Sequence, residues 1–377
     1  MKSPHRFFVL LSGLLSITVG CQGPRAMKSE FIEYSHAYAE TSNQQMLLNL
    51  ARRANGHPAY FLQMGTINAT MQFGATAGGS AGQNRTRASG GALATAAAIS
   101  DTIAVGSTLG LSGSEQPSFS FTPLSGSSFA AALFNPIDPK IFFNLYDQGI
   151  PVDALLRVMV QSITLNEAKG SRTFLNVIDP ERPVSYRNFL TVAGLARELQ
   201  KRHLLLSSTN QNSFIFADKA YETVANLRTN VYYQYEEDST YFVPNNSGTD
   251  KKRQDTINLT LRTFEGVLTA LAQESELFDG FVRTDGTNFT TFVAPSERRP
   301  ALRITPPKAA KTTSPVAEIT YRGEKFSISD EIVIDPVTKQ PKVNTWNREV
   351  FNLLNMLYVQ ISLDPSKLPV QQLIQVH

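Results

Sequence analysis

Between Thr66 and Asn135 only four side chains carry a charge: Arg85, Arg87, Asp101 and Glu115. Within that stretch apolar and polar residues alternate. Ile67, Ala69, Met71, Phe73 and Ala75 form one row, with Thr66, Asn68, Thr70, Gln72, Gly74 and Thr76 between them. A period of two puts successive side chains on opposite faces of an extended chain, so residues 66–76 read as a β-strand. Alternation returns at Ile103, Val105, Leu109 and Leu111, and again at Phe119 and Phe121. The segment 66–122 is therefore expected to form a long antiparallel hairpin. Its Gly/Ala/Ser-rich tip covers residues 77–102, where Ala92 to Ile99 can form a short helix.

Two settings fit that hairpin. A sheet packed on helices with its apolar face inward alternates in this way, and this is the favoured expectation. The other is a hairpin donated to a β-barrel. The strands 66–76 and 103–111 match the roughly 9–11 residues that span a bilayer, and the polar face is small and uncharged. Open edges would leave backbone groups unpaired in lipid, so this alternative requires a closed homo-oligomeric ring, a pore. The girdle of Tyr and Trp common in such barrels is missing from the segment; Phe73, Phe119 and Phe121 are its aromatics.

Around the hairpin the patterns are mixed. A helix over 42–55 is expected from Met46, Leu47, Leu50, Ala51 and Ala54, with Thr41 or Ser42 as cap and Asn55-Gly56 as stop. Short helices follow at 127–134, 139–148 and 152–162, and a strongly amphipathic one at 185–202. Strands are expected at 203–207, 213–217, 228–235 and 256–262, then a helix at 264–275 and a hairpin around Asp285-Gly286. Residues 295–315, rich in Pro, Lys, Thr and Ala, read as a linker. Strands near 316–322 and 325–328, turning at Arg322-Gly323, precede a last helix at 346–361. The fold class is α+β. The segments are a signal peptide (1–20), a tether and helix (21–65), the hairpin (66–122), a mixed body (123–294), the linker (295–315) and a strand-helix end (316–377).

The N-terminus has the layout of an export signal: Lys2, His5 and Arg6, then an 11-residue apolar run from Phe7 to Ile17. That run is too short to cross a hydrocarbon core needing about 20 residues. Thr18-Val19-Gly20-Cys21 resembles the lipobox of bacterial lipoproteins, with Thr18 in place of the usual leucine-like residue. The resemblance implies cleavage before Cys21 and acylation of its thiol. Gln22, where inner-membrane retention would place an aspartate, implies the outer membrane, with the body facing the periplasm. Cys21 is the only cysteine of 377 residues, so a disulfide within the chain is excluded and lipidation accounts for the thiol. Pro58-Ala59-Tyr60-Phe61-Leu62, Ser118 to Leu124, Leu353-Leu354-Asn355 and Ser366-Lys367-Leu368-Pro369 are also similar to a widespread group of uncharacterised bacterial lipoproteins. That similarity implies architecture and brings no activity with it.

Little in the chain points to catalysis. Loss of residues 1–20 leaves 33 basic and 32 acidic side chains, a net of +1, and no basic stripe marks a nucleic-acid partner. His36, His57, His203 and His377 are scattered without metal-ligand spacing. Gly78-Gly79-Ser80-Ala81-Gly82 matches the letters of a nucleophile elbow, which needs a sharp strand-to-helix turn. Ser80 with His203 would make a serine hydrolase, the weakest of the three readings. Glu236-Glu237-Asp238 reads as a solvated turn rather than paired catalytic carboxylates, and no phosphate loop is present. The expectation is a non-catalytic envelope protein, without cofactor, metal or small-molecule substrate. Its partners would be the bilayer through acylated Cys21 and either another envelope protein or itself.

Overall fold

A computed structural model describes residues 23–84, 102–167, 170–208, 213–217, 219–236, 242–244, 256–305, 311–335 and 338–362. Cys21, His377, the expected Ala92–Ile99 helix, Glu237, Asp238 and the Ser366–Pro369 motif lie outside them. The architecture is α+β and divides into two compact units. One is a body formed by the chain up to Phe61 and again from Ser125; the other is Leu62–Leu124.

In the body, α1 (Gly23–Ala54) buries Met46, Leu47, Leu50 and Ala51 of the face expected from sequence, whereas Ala54, its last residue, is exposed. It begins far earlier than residue 42, with Pro24 in a first turn that needs no N–H from it. The tether expected ahead of residue 42 is thus helical from Gly23, and Thr41 and Ser42 lie inside the helix rather than capping it. Next come α2 (Ser127–Phe134) and α3 (Pro139–Asp147), the latter capped by Asp138, whose Oδ1 accepts from the Lys140 N–H at 2.9 Å. Phe142, Phe143 and Tyr146 of α3 close around Phe214 with ring centroids 4.8–5.9 Å apart.

A helix was expected over 152–162, but α4 (Val152–Met159) passes directly into strand β3 (Val160–Glu167). Neither Gly nor Pro ends it. Carbonyls at its end and at the start of β3 are taken from afar: the Asn176 amide donates to Arg157 O (2.9 Å) and Val160 O (2.8 Å). The Arg262 guanidinium donates to the carbonyls of Arg157 and Val158, both at 3.2 Å. Captured carbonyls end a helix as firmly as a glycine does.

The chain continues through β4 (Gly170–Leu175), α5 (Pro183–Lys201), β5 (Leu205–Ser207), β6 (Ser213–Phe216), α6 (Ala220–Leu227), β7 (Phe242–Pro244) and β8 (Thr256–Leu261). These strands and β3 form an antiparallel sheet in the order β5-β6-β8-β3-β4-β7. The expected strand at 228–235 instead contains a 3-10 turn at Val231–Tyr233, where the Asn230 side chain accepts from the Tyr232 N–H at 3.1 Å. Arg228 covers the Tyr235 ring at 4.5 Å.

Helix α7 (Phe264–Asp285) is capped by Thr263, which accepts from Gly266 N–H at 2.9 Å, and runs ten residues beyond the expected end. Asp285-Gly286 does not turn a hairpin. Gly286, with φ +52°, ends α7 and starts α8 (Thr287–Phe292), a left-handed position suited to glycine. Strands β9 (Ala317–Tyr321) and β10 (Glu324–Ile328) pair around Arg322 (φ +53°) and Gly323 (φ +85°), the two positive φ values of a tight hairpin turn. A further pair, β11 (Glu331–Ile334) and β12 (Pro341–Asn344), leads to α9 (Trp346–Ser362). Of the linker expected at 295–315, the first part is core. Ala301 and Leu302 are fully buried and Glu297 is nearly so, because this segment threads between α7 and α9 with Ser275 and Trp346 bonded to its backbone.

The second unit is a hairpin of β1 (Leu62–Asn84) and β2 (Thr102–Pro123), 23 and 22 residues long. Both strands extend past the expected limits of 76 and 103, toward the tip. Ala77 to Asn84 is Gly/Ala-rich and weak in β propensity, so the alternation fades in sequence although the ladder continues. The register also shows that 66–76 meets 103–111 only at its tip-ward end. Ala75 and Thr76 pair with Leu111 and Gly110, whereas Val105 and Ile103 pair with Ala81 and Gln83.

Candidate functional site

The densest chemistry of the body lies around Arg157, which α4 carries into the core at 1% exposure. Every residue of α4 is buried, so a charge on it has no route to water. Its guanidinium lies 3.6 Å from Glu274 of α7 and 3.6 Å from Glu297 of the 3-10 turn Pro295–Glu297, and Nη2 also donates to the Arg299 carbonyl. Glu274 Oε1 further accepts from Ala301 N–H (2.8 Å) and the Tyr186 hydroxyl (3.3 Å). Arg299 stacks over Trp346 at 3.8 Å, and the indole N–H donates to Ala301 O at 2.9 Å.

Burial alone would lower the Arg157 pKa, but Tyr186, Glu274, Glu297 and Asp153 outweigh it and hold the guanidinium charged. Burial raises Glu297, and Arg157 offsets this only in part. Burial and then Glu274 push the Tyr186 phenol far up. The network links α4, α5, α7, the Pro295–Glu297 turn and α9. With Arg157 and Glu297 each at 1% exposure, it is a structural knot closed to any substrate.

A cleft of about 640 Å³ opens beside it, where the ends of β3 and β8 meet α7. Its wall includes Gln161, Asn176, Tyr186, Arg262, Glu265 and Gln273. Burial lowers the pKa of Arg262. Arg262 is nevertheless committed to three carbonyls, the third being Asn176 O at 2.6 Å. Glu265, raised by burial against the pull of Arg53, pairs with that arginine at 2.9 Å. Among the described residues, the lining brings together no nucleophile and base. Its charged groups are already answered by protein partners, which suits a wall and not a reaction centre.

The residues singled out from sequence are dispersed. Ser80 lies within β1, paired with Gly106, and the strand continues to Asn84. The sharp turn of a nucleophile elbow is not there. His57 is half-buried with Nδ1 2.6 Å from the Tyr321 hydroxyl, which ties the end of α1 to β9. His36 is exposed on α1, and His203 is exposed with φ +56° just after α5. Glu236 is engaged with Arg187 through two bonds of 2.5 and 2.6 Å, an ion pair rather than a solvated turn. Arg187 also bonds Asp285. No group of three or more His, Cys, Asp or Glu among the described residues could hold a metal ion. No described helix is long and apolar enough to cross a membrane.

Sequence reasoning passed over Arg157, although a lone arginine within Ala154-Leu155-Leu156-Arg157-Val158-Met159 was a visible signal. Glu297 gave none, because Pro295 to Pro300 has the composition of a loop. No protein-family model, no curated protein and no solved structure matches this chain.

Proposed function

We infer that the chain is a bacterial lipoprotein, held at the outer membrane by acyl chains on Cys21, with a non-catalytic structural or protein-interaction role facing the periplasm. The observation that carries this reading is Thr18-Val19-Gly20-Cys21, placed directly after a basic and apolar leader and containing the only cysteine of the sequence. Each buried methylene of an acyl chain contributes about 0.8 kcal/mol, and two or more chains make anchoring stable. A non-catalytic role is supported by the dispersal of the candidate residues and by charged groups spent on internal partners. The similarity to other bacterial lipoproteins is part of the same reading.

Cells expressing the full chain and fed an alkyne fatty acid test it. The wild type is expected to take up the label and sediment with outer membranes. Cys21→Ser is expected to lose the label and accumulate as uncleaved precursor. Label persisting in Cys21→Ser, or a wild type without label, would overturn the reading.

A further inference from the structure

We propose that hairpins from several copies of this chain pair edge to edge and close into a membrane β-barrel, with the residues 73–83 and 103–113 forming its lipid-spanning band. The inference deepens the reading of a lipid-anchored outer-membrane protein and rests on it for the membrane concerned.

The register carries the argument. Residues paired across an antiparallel ladder share a face. In one row, from Asn68 with Ser118 to Asn84 with Thr102, every position on both strands is Gly, Ala, Ser, Thr, Asn or Gln. The other row, from Phe73 with Gly113 to Gln83 with Ile103, holds Phe73, Ile103, Val105, Leu109 and Leu111 among Gly, Ala and Ser, with Gln83 its one amide, at the tip-ward end, and it has no charge. Below it Met71 faces Glu115, the only ionisable side chain in either strand. The uncharged band is 11 residues long on each strand. At about 3.3 Å per residue and a tilt near 45°, that is about 26 Å of height, against an apolar band of about 25 Å in outer-membrane barrels. The membrane-length segment therefore sits nearer the tip than the alternation at 66–76 suggests.

The edges name the occupant. β1 and β2 form a two-stranded sheet, so along the band 73–83 and 103–113 no other described strand joins either outer edge. Proteins that keep such edges in water guard them with lysines, other charges or prolines. Here the two strands carry no Lys, Arg or Asp, and the only prolines are Pro117 and Pro123, at the base of β2. With a single ionisable side chain in the two described strands, Glu115, the strands of neighbouring copies would meet almost without like-charge repulsion. An edge of 22 or 23 residues is matched in length by a second copy of this hairpin. A ring of copies removes every edge and gives an even strand number, as lipid requires. The neutral polar row then lines the lumen.

The test uses full-length protein extracted in mild detergent, weighed in its native state and reconstituted into planar bilayers. A multi-subunit ring with conductance is expected. Thr108→Arg, on the polar row, should keep the ring and shift its selectivity toward anions. Leu109→Arg, one residue on, should cut channel insertion by about tenfold or more, since arginine on the lipid face is strongly disfavoured. A fluorophore on Leu109→Cys should be quenched by lipids brominated in their acyl chains, and one on Thr108→Cys should not.

A monomer that carries the fatty-acid label, and whose residue 109 escapes quenching, would overturn the barrel and leave the anchor standing. An unlabelled chain that still forms quenched, conducting rings would do the reverse. A ring with equal quenching at 108 and 109 would also overturn the proposal.

Discussion

A guanidinium with 1% exposure is tolerated only where its charge is answered on the spot, and Arg157 is answered by Glu274 and Glu297 at 3.6 Å. The answer is incomplete for Glu297, whose Oε2 makes no hydrogen bond. Burial therefore holds this carboxyl above the ordinary glutamate value of 4.5. A carboxyl raised on folding binds its proton more tightly in the folded than in the unfolded chain. Its contribution to stability is then lost as pH rises from 4.5 toward the folded-state value, at up to about 1.4 kcal/mol per unit. Glu297→Gln removes the proton exchange. The stability of this variant relative to the wild type should climb with pH across that window, whatever constant offset the lost charge introduces. Urea unfolding at several pH values between 4 and 8 checks it, and parallel curves for the two proteins would refute it. Arg157 could have been suspected from sequence, as a charge within an apolar helical run. Glu297 could not, since burial depends on segments that meet it from α4 and α5.

At the scale of elements, local chemistry is legible where one segment decides its own ending. Thr263 with Gly266, Asp138 before Pro139, and Arg322-Gly323 are short-range signals, and helices or turns stand at each. The end of α4 is decided elsewhere. Asn176 and Arg262 lie 17 and 103 residues beyond Met159, yet their side chains take its last carbonyls, and the chain then enters β3 without a loop. Sequence periodicity reads on through Met159, because nothing local interrupts it. Asn176→Ala should leave buried carbonyls of Arg157 and Val160 without that donor. Leaving such a group unpaired costs roughly 1–3 kcal/mol, and Arg262 still serves Arg157 O, so a loss of about 1–3 kcal/mol is expected. The urea midpoint should fall at an unchanged slope, the signature of lost stability with the same surface exposed. A midpoint within error of wild type would mean that α4 ends for another reason.

For the whole molecule, the division at Leu62 and Leu124 sets what can be removed. The hairpin enters at Leu62 and leaves at Pro123, and these two residues pair in register. Their Cα atoms are therefore about 5 Å apart, a gap that two or three residues bridge. The body carries its own core in α1, α4, α5, α7 and α9, with Leu50, Leu156, Phe189, Leu268 and Phe351 each 1% exposed or less. Its closure at the entry point is internal as well, since Phe61 stacks on Tyr358 of α9 at 4.5 Å and also meets Phe129 and Phe264. Replacing residues 62–124 by a short Gly/Ser link should leave a body that unfolds in one cooperative step. Its helical signal should be undiminished, because no α-helix is described within 62–124. The same deletion should abolish the ring and its conductance. Circular dichroism and native mass on one preparation separate these effects. A deleted chain that is folded but monomeric places assembly in the hairpin, whereas a folded chain still in rings moves the contact to the body. A chain that fails to fold would show that 62–124 is part of the core after all. The sequence alternation predicted the hairpin's existence but not its separability, which follows from its two ends, Leu62 and Pro123, pairing with each other.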